Sequence, residues 1–319
     1  MRSSKKVFGL ALALTLALCW SGVEAGVLVE DGFEAGGSSP SASQYQSSPA
    51  TTNGTDNNSV HAQGPARTGF AADPWVVNST PRDDLTVVVD PAGLTYTDNN
   101  GVSLITTPGH LRWFNEFGSH GVQRSASRAM TLSGPLTDHT PADTGLYIAM
   151  LMRVNETVLD TFDDVAGDLR GPHVELPYGD DDIRFGIQKN QADDGVEAYA
   201  IHERNPGSVD RAAAGVTEAV SAGQTVLIVS HHYTDPVNGD SFELWINPED
   251  LTDESVGKDY SGTTAGDRGY VENNSAWGLE EFIFNPGGQS GPGGVFEVDE
   301  IRIGTSFSDV TPVPEPATM

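Results

Sequence analysis

The sequence has little cysteine and few basic side chains. Its single cysteine among 319 residues, Cys19, lies in an apolar N-terminal run that we predict to be removed. The mature chain should therefore contain no disulfide and no thiolate chemistry. Lys and Arg total 17 against 45 Asp and Glu, which gives a net charge of −28. Because phosphate binding needs clustered Lys and Arg, this acidity argues against nucleic acid or an anionic membrane as the partner.

Long helices and familiar catalytic motifs are also missing. The 36 glycines and 19 prolines disfavour long helices. Neither a zinc-ligand spacing nor a G-x-S-x-G nucleophile motif occurs. His231 and His232 are adjacent, so on a strand they point to opposite faces and cannot hold one metal together.

Residues 1–25 have the order of a secretory signal peptide, in which basic residues precede an apolar run and a cleavage site. The apolar run, Val7 to Trp20, has 14 residues. That is too short for a bilayer of about 30 Å but suits a signal-peptide core. We predict removal by signal peptidase and export to the cell envelope or beyond. The alternative is a buried N-terminal helix.

Apolar residues alternate with polar ones in many short segments of the body, and turn residues separate these segments. The alternation predicts an antiparallel sandwich or barrel. Thr225 to Ser230 has the continuous apolar centre typical of a strand buried on both sides. Only Ala212 to Ala222 has a local helical pattern, and residues 36–64 form a Gly/Ser/Asn-rich surface excursion. The main predicted strands are 27–33, 84–89, 146–154, 183–187, 225–230, 242–246, 282–284 and 295–303.

Residues 312–319 form a Pro-rich linker that resembles the start of the PEP-CTERM sorting signal of bacterial envelope proteins. The matching residues are Val313, Pro314, Glu315 and Pro316, followed by Ala-Thr. In that family an apolar membrane helix and an Arg cluster follow, and exosortase processes the signal. Here the sequence stops at Met319, so we expect either a truncated reading frame or a degenerate signal. A chance Pro-rich tail is the alternative.

Residues 26–311 resemble the concanavalin A-like, laminin-G-like jelly roll found in PEP-CTERM proteins of environmental bacteria. The resemblance rests on the ordered segments VLVEDGFEA, LYIAMLMRVNET, AGQTVLIVSHHY, FELWINPED and VFEVDEIRIGTSF. It implies an all-β, two-sheet antiparallel jelly-roll sandwich with both termini on adjacent strands. It does not imply one activity, because the fold carries lectins, adhesion modules and glucanases.

The carboxylates at 297–300 are the strongest catalytic candidates. Laminarinase-type glucanases carry E-x-D-x-x-E on one strand, and retaining hydrolysis needs two carboxyls about 5–5.5 Å apart. This sequence matches Glu297 and Asp299, but its third position is Arg302, which cannot exchange a proton at working pH. We therefore predict a structural strand, no catalytic residues and a protein that is not an enzyme.

Calcium is the one cofactor that the sequence suggests. Asp180, Asp181 and Asp182 follow Gly179 in a predicted turn, and oxygen-rich loops can supply the six to eight ligands that Ca²⁺ takes. The run does not have EF-hand spacing, and a solvated acidic loop is the alternative.

Aromatic residues offer a possible sugar platform, because flat rings cover the apolar faces of sugars. The alternative is that these side chains pack the sandwich. The candidates are Trp245, Trp277, Trp113 and Tyr233.

The sequence thus favours an exported, non-catalytic β-sandwich that binds an extracellular glycan or matrix polymer. One alternative is a glycan-cleaving enzyme, a glucanase or lyase, on the same fold. Another is a purely structural biofilm or matrix protein.

Overall fold

The structure, a computed structural model, describes a large part of the chain. The described residues are 27–35, 63, 65–78, 85–115, 125–131, 146–155, 172–178, 181–189, 196–204, 211–212, 218–235, 239–258, 260–263, 279, 281–285 and 294–315. The predicted signal peptide and nearly all of the predicted excursion at 36–64 lie outside them.

The described strands form two eight-stranded sheets in which every pairing is antiparallel. Sheet 1 consists of β1 (Val27–Asp31), β3 (Leu85–Asp90), β4 (His110–Asn115), β6 (Leu146–Val154), β12 (Val226–Asp235), β13 (Gly239–Ile246), β14 (Tyr260–Thr263) and β16 (Gly294–Gly304). Sheet 2 consists of β2 (Val76–Asn78), β5 (Ser125–Ala129), β7 (His173–Tyr178), β8 (Asp181–Lys189), β9 (Val196–Arg204), β10 (Arg211–Ala212), β11 (Glu218–Ala219) and β15 (Glu281–Asn285).

The strand order follows the predicted sandwich. Sheet 1 runs β14-β13-β12-β6-β16-β4-β3, with β1 on β16, and sheet 2 runs β10-β9-β8-β7-β15-β5-β2, with β11 on β9. The first and last strands are neighbours, since Val29 pairs with Ile303. The predicted all-β, two-sheet antiparallel fold is confirmed.

The main core fills the space between the two sheets. It takes alternate residues of each strand, such as Ile148 and Met150 of β6 and Phe284 of β15, all fully buried. The rings of Phe284 and Phe296 stack across the interface with centroids 4.7 Å apart. Burying one such side chain stabilises the fold by about 1.5–3 kcal/mol, so the sheets hold each other in place.

A second apolar cluster covers the outer face of sheet 1. Leu227, Val229 and Trp245 point into it, whereas Val226 and Ile228 of the same sheet point into the main core. The covering residues are Leu94, Leu104, Leu251, Phe307 and Val310, the last two from the short helix α1 (Phe307–Val310). The prediction that 225–230 is buried on both sides is therefore confirmed.

Buried carboxylates of β16 fasten this cover to the sheet. Asp299 accepts a hydrogen bond from the backbone N–H of Leu94 at 2.8 Å. Glu300 sits at a β-bulge with φ +51° and accepts hydrogen bonds from the backbone and the hydroxyl of Thr107. Arg302 donates to Glu300 at 2.5 Å and to the Ile105 carbonyl at 2.7 Å. These contacts tie residues 91–108 across the outer face of sheet 1.

The local helical pattern at Ala212–Ala222 does not give a helix in the described residues of that segment, 212 and 218–222. Described residues of this segment form β10 and β11, which pair with β9 through Ala212–His202 and Glu218–Ala198. The β-branched residues of the segment favour extended backbone, and pairing with β9 satisfies its backbone groups.

Among the described residues there is no helix long and apolar enough to cross a membrane.

The contribution of Asp299 to stability should fall as pH rises above about 4. Burial, together with the negative charge of Glu300, raises the pKa of Asp299 well above its usual value. Above the unfolded-state pKa the unfolded chain loses this proton before the folded chain does, so the free energy of unfolding declines with pH. Asp299→Asn resembles the protonated form and should flatten that decline in urea denaturation at a series of pH values.

Glu249→Gln, at an exposed position, is the matched control and should keep the wild-type pH dependence. Parallel curves for Asp299→Asn and the wild type would contradict this assignment.

Candidate functional site

The outer face of sheet 2 brings a row of side chains together from distant parts of the chain. One row is a series of successive cross-strand pairs. Its members, in order across the sheet, are Val76, Ser127, Ile283, Glu175 and Arg184, and each pairs with the next. In the adjacent row Asn285 pairs with His173. Since side chains alternate along a strand, these rows face away from the main core that Phe284 and Val174 enter. In the part of the chain that the structure describes, no apolar cluster covers this face.

Glu175 is the centre of a polar cluster on this face. Its Oε1 lies 2.6 Å from His173 Nε2 and accepts a hydrogen bond from Asn285 Nδ2 at 3.1 Å. The Nε atom of Arg184 is 3.9 Å from the same oxygen. The His173 side chain is 5% exposed, while Glu175 and Arg184 are 17% and 19% exposed. Neighbouring strands thus hold a buried imidazole next to a partly exposed carboxylate and guanidinium and an amide.

The Glu175 carboxylate is ionised at neutral and mildly acidic pH. Burial alone would raise its pKa, but hydrogen bonds and charge from His173, the charge of Arg184 and the Asn285 amide outweigh burial and lower the pKa to about 2. A carboxylate hydrogen-bonded to one ring nitrogen sets the orientation of the imidazole and the nitrogen that carries its proton. A neutral imidazole has one nitrogen that donates and one that accepts, so His173 can take part in both kinds of hydrogen bond.

The chemistry open to this cluster is proton transfer beside a bound anion. Imidazole is the commonest general acid or base in proteins. The planar guanidinium of arginine matches a carboxylate, and an amide donates to carboxylate oxygens as well. Together, His173, Arg184 and Asn285 fit the abstraction of a proton next to a carboxylate group.

A second carboxylate cluster lies on the opposite side of the molecule, on sheet 1. Glu297 contacts His110 Nε2 at 3.1 Å, Arg112 Nε at 3.3 Å and Arg153. Burial raises the pKa of Glu297, but His110 and Arg153 more than offset it and lower the pKa to about 2. His110 Nδ1 also contacts the Ala92 carbonyl at 2.5 Å, so this cluster joins β4, β6 and β16 to the cover. We assign it a structural role.

Two of the predicted sugar-binding tryptophans are core residues. Trp245 is fully buried in the second cluster and donates its Nε1–H to the Glu254 carbonyl at 3.1 Å. Trp113 is 3% exposed in the main core. Neither offers a ring face to a ligand, because sheet 1 is buried on both sides. Trp277 lies outside the described residues, as does the side chain of Tyr233, whose backbone belongs to β12.

The predicted calcium ligands fall largely outside the described part of the chain. Asp180 is outside it; Asp181 and Asp182 begin β8, paired with Tyr178 and Pro177, but their side chains are not described. Within the described residues no group of three or more His, Cys, Asp or Glu could hold a metal ion. The calcium site stays a prediction.

The described part of the predicted sorting motif ends at Glu315. Val313 packs against the second cluster, Pro314 and Glu315 are exposed, and Pro316 lies outside the described residues. The sorting motif stays a prediction.

Sequence reasoning missed the Glu175 cluster altogether. One signal was present: His173-Val174-Glu175 places a histidine and a carboxylate two residues apart, hence on one face of a strand. Arg184 and Asn285 could be added only by knowing that β8 and β15 are the neighbours of β7, and Asn285 is 110 residues away from Glu175.

Comparisons with solved structures find distant neighbours of the same architecture. An endo-β-1,4-glucuronan lyase from the fungus Trichoderma reesei has a TM-score of 0.36 at 12% identity, covering 82% of this chain and 98% of its own. The alginate lyase Aly36B has a TM-score of 0.39 at 10% identity, covering 67% and 96%. The botulinum neurotoxin serotype D binding domain has a TM-score of 0.37 at 8% identity, covering 71% and 45%. No family model and no curated protein matches the sequence.

These neighbours contradict the prediction that the protein is not an enzyme, since two of them are polysaccharide lyases. That prediction depends on the missing glucanase carboxylate pair, which only hydrolysis requires. An elimination needs a base and a group that neutralises the substrate carboxylate instead. At such low identities and TM-scores the likeness extends to the fold alone, so an activity has to be argued from the residues of this chain.

Ionised Glu175 should stabilise the fold at neutral pH. Glu175→Gln is expected to lower the free energy of unfolding at pH 7 by up to about 3 kcal/mol, because its folded-state pKa of about 2 is below the usual 4.5. The stability exists above the unfolded-state pKa and is lost as pH falls through the folded-state pKa. The gap between variant and wild type in urea denaturation should therefore shrink as pH falls from about 5 towards 2.

Glu281→Gln, on the same face of β15, is the control and should leave the curve nearly unchanged. A gap of equal size at every pH would disprove the ionic role of Glu175.

Proposed function

We propose that the protein is a polysaccharide lyase that cleaves an acidic, uronate-containing polysaccharide on the outer face of sheet 2. The observation that carries this proposal is the cluster around Glu175, which holds His173, Arg184 and Asn285 together on a sheet face that no described apolar layer covers. This proposal retains the predicted glycan partner. It replaces the predicted non-catalytic binding with the alternative from the sequence, a glycan-cleaving enzyme.

In the proposed reaction Arg184 and Asn285 bind the carboxylate of a uronate unit and stabilise the negative charge that develops there. His173 removes the proton from the carbon next to that carboxylate. The electron pair released forms a carbon–carbon double bond, and the glycosidic carbon–oxygen bond on the adjacent carbon breaks. The departing oxygen takes a proton from the imidazolium or from solvent. Glu175 orients the imidazole throughout and does not touch the substrate.

The proposed place of action is outside the cytoplasm, in the cell envelope or the extracellular space. Support comes from the sequence alone, namely the signal-peptide order of residues 1–25 and the motif at Val313–Pro316. Signal peptidase and exosortase are the corresponding proposed processing partners.

The activity is testable with soluble polyuronates, with neutral glucans as negative controls. Elimination creates a double bond conjugated to the carboxylate, so ultraviolet absorbance should rise with polyuronates only. His173→Gln should reduce the rate by roughly 10²–10⁴-fold, the usual contribution of a general base. Glu281→Gln, on the same face but outside the cluster, should keep the wild-type rate. Absence of cleavage with every polyuronate, or an unaffected His173→Gln, would refute the proposal.

Salt should accelerate the reaction. The net charge of −28 repels a polyanionic substrate. The Debye length shrinks from about 30 Å at 0.01 M ionic strength to about 8 Å at 0.15 M, which screens that repulsion. We expect kcat/KM to rise over this range, the reverse of the behaviour of an enzyme with a basic cleft. A steady fall in kcat/KM with salt would contradict this prediction. It would mean that local positive charge, rather than the acidic surface, controls the rate at which the protein and the polysaccharide associate.

A further inference from the structure

A polar groove of about 750 Å³ lies beside sheet 1, well apart in the fold from the Glu175 cluster. Ligand sites are commonly clefts of about 300–1,000 Å³. Two segments with neutral hydrogen-bonding side chains contribute most of its lining, and we call them its two walls. One wall carries Thr95, Thr97 and Asn99, and the other carries Gln224, Thr225 and Asn247.

The first wall is an alternating segment whose inner side chains fasten it to the protein. Thr95, Thr97 and Asn99 are exposed, Tyr96 is half-buried and also lines the groove, and Asp98 is buried. Tyr96 donates its hydroxyl to the Pro248 carbonyl at 2.8 Å. Asp98 accepts a hydrogen bond from the Leu251 backbone at 3.0 Å. The outward hydroxyl and amide groups are therefore presented from a fixed backbone.

The second wall is fixed in a similar way at the ends of β12 and β13. Asn247 has φ +53°, and its side chain accepts a hydrogen bond from the Leu227 N–H at 3.1 Å while its own N–H donates to the Leu227 carbonyl at 2.8 Å. Gln224 accepts a hydrogen bond from the Ser221 N–H at 2.9 Å through its amide oxygen. That contact orients the amide, whose nitrogen carries two further donors.

The charge of the groove selects against an ionic ligand. Its described lining contains one acidic and one basic side chain, Glu249 and Lys258. Lys258 is paired with Glu243 at 2.5 Å and lies over the Trp245 ring at 5.1 Å. Hydroxyl and amide groups, which supply donors and acceptors together, match a ligand rich in hydroxyl groups.

From this lining we infer that the groove binds a neutral oligosaccharide and is a glycan-binding site independent of the proposed lyase site. A neutral glycan held there leaves the outer face of sheet 2 open to a second, acidic chain. The inference does not depend on the lyase proposal, because the residues that support it belong to sheet 1 and its cover.

Calorimetric titration of the full protein with short neutral gluco-, manno- and xylo-oligosaccharides tests this site. At least one series should bind. The double variant Thr95→Val/Gln224→Ala removes one polar group from each wall and should weaken that binding at least tenfold. Thr131→Val, an exposed threonine that follows β5 of sheet 2, is the matched control and should bind like the wild type.

His173→Gln separates the two sites, since it should reduce polyuronate cleavage by roughly 10²–10⁴-fold and leave neutral-sugar binding unchanged. Failure of every neutral oligosaccharide to bind the wild type would overturn the groove proposal without touching the lyase proposal. Binding that survives Thr95→Val/Gln224→Ala, or that His173→Gln removes, would place the sugar elsewhere and also overturn it.

Discussion

Burial of sheet 1 on both faces is the constraint on which the rest of the structure depends. Residues 146–152 of β6 and 226–229 of β12 alternate between two apolar clusters, so both faces of these strands are used for packing. Strands of this kind read as continuous apolar runs and have no face left for a ligand. Among the described strands, chemistry is therefore left to the outer face of sheet 2 and to the loops that cover sheet 1.

The burial of sheet 1 on both faces also separates the structural carboxylates of β16 from Glu175 of sheet 2. Asp299 and Glu300 lie under the cover and accept backbone hydrogen bonds, so their role is to close the outer face of sheet 1. Glu297 joins three strands through His110, Arg112 and Arg153. Glu175 has comparable partners, a histidine and an arginine, but lies on a face over which the described residues place no apolar cluster. The two histidine–carboxylate clusters share chemistry and differ in surroundings, which is why only one is proposed to act on a substrate.

The fold was largely predictable from the sequence because alternation and turn residues are local signals. The apolar centre of 225–230 even predicted burial on both sides. Two of the aromatic candidates, Trp245 and Trp113, are core residues for a related reason: Trp245 alternates with Leu244 and Ile246 on a sheet that has apolar clusters on both faces. The Glu175 cluster was not predictable, since it depends on which strands become neighbours. Single-sequence periodicity does not contain that information.

The central claim is that the protein breaks acidic polysaccharide by elimination, and the fate of water during cleavage tests it most directly. A short digestion of a polyuronate in water enriched in the heavy oxygen isotope, followed by mass spectrometry of the fragments, distinguishes the two chemistries. Elimination predicts unsaturated fragments that lack the elements of water and carry none of the isotope from the cleavage step. Saturated fragments that have gained labelled oxygen would establish hydrolysis and contradict the account.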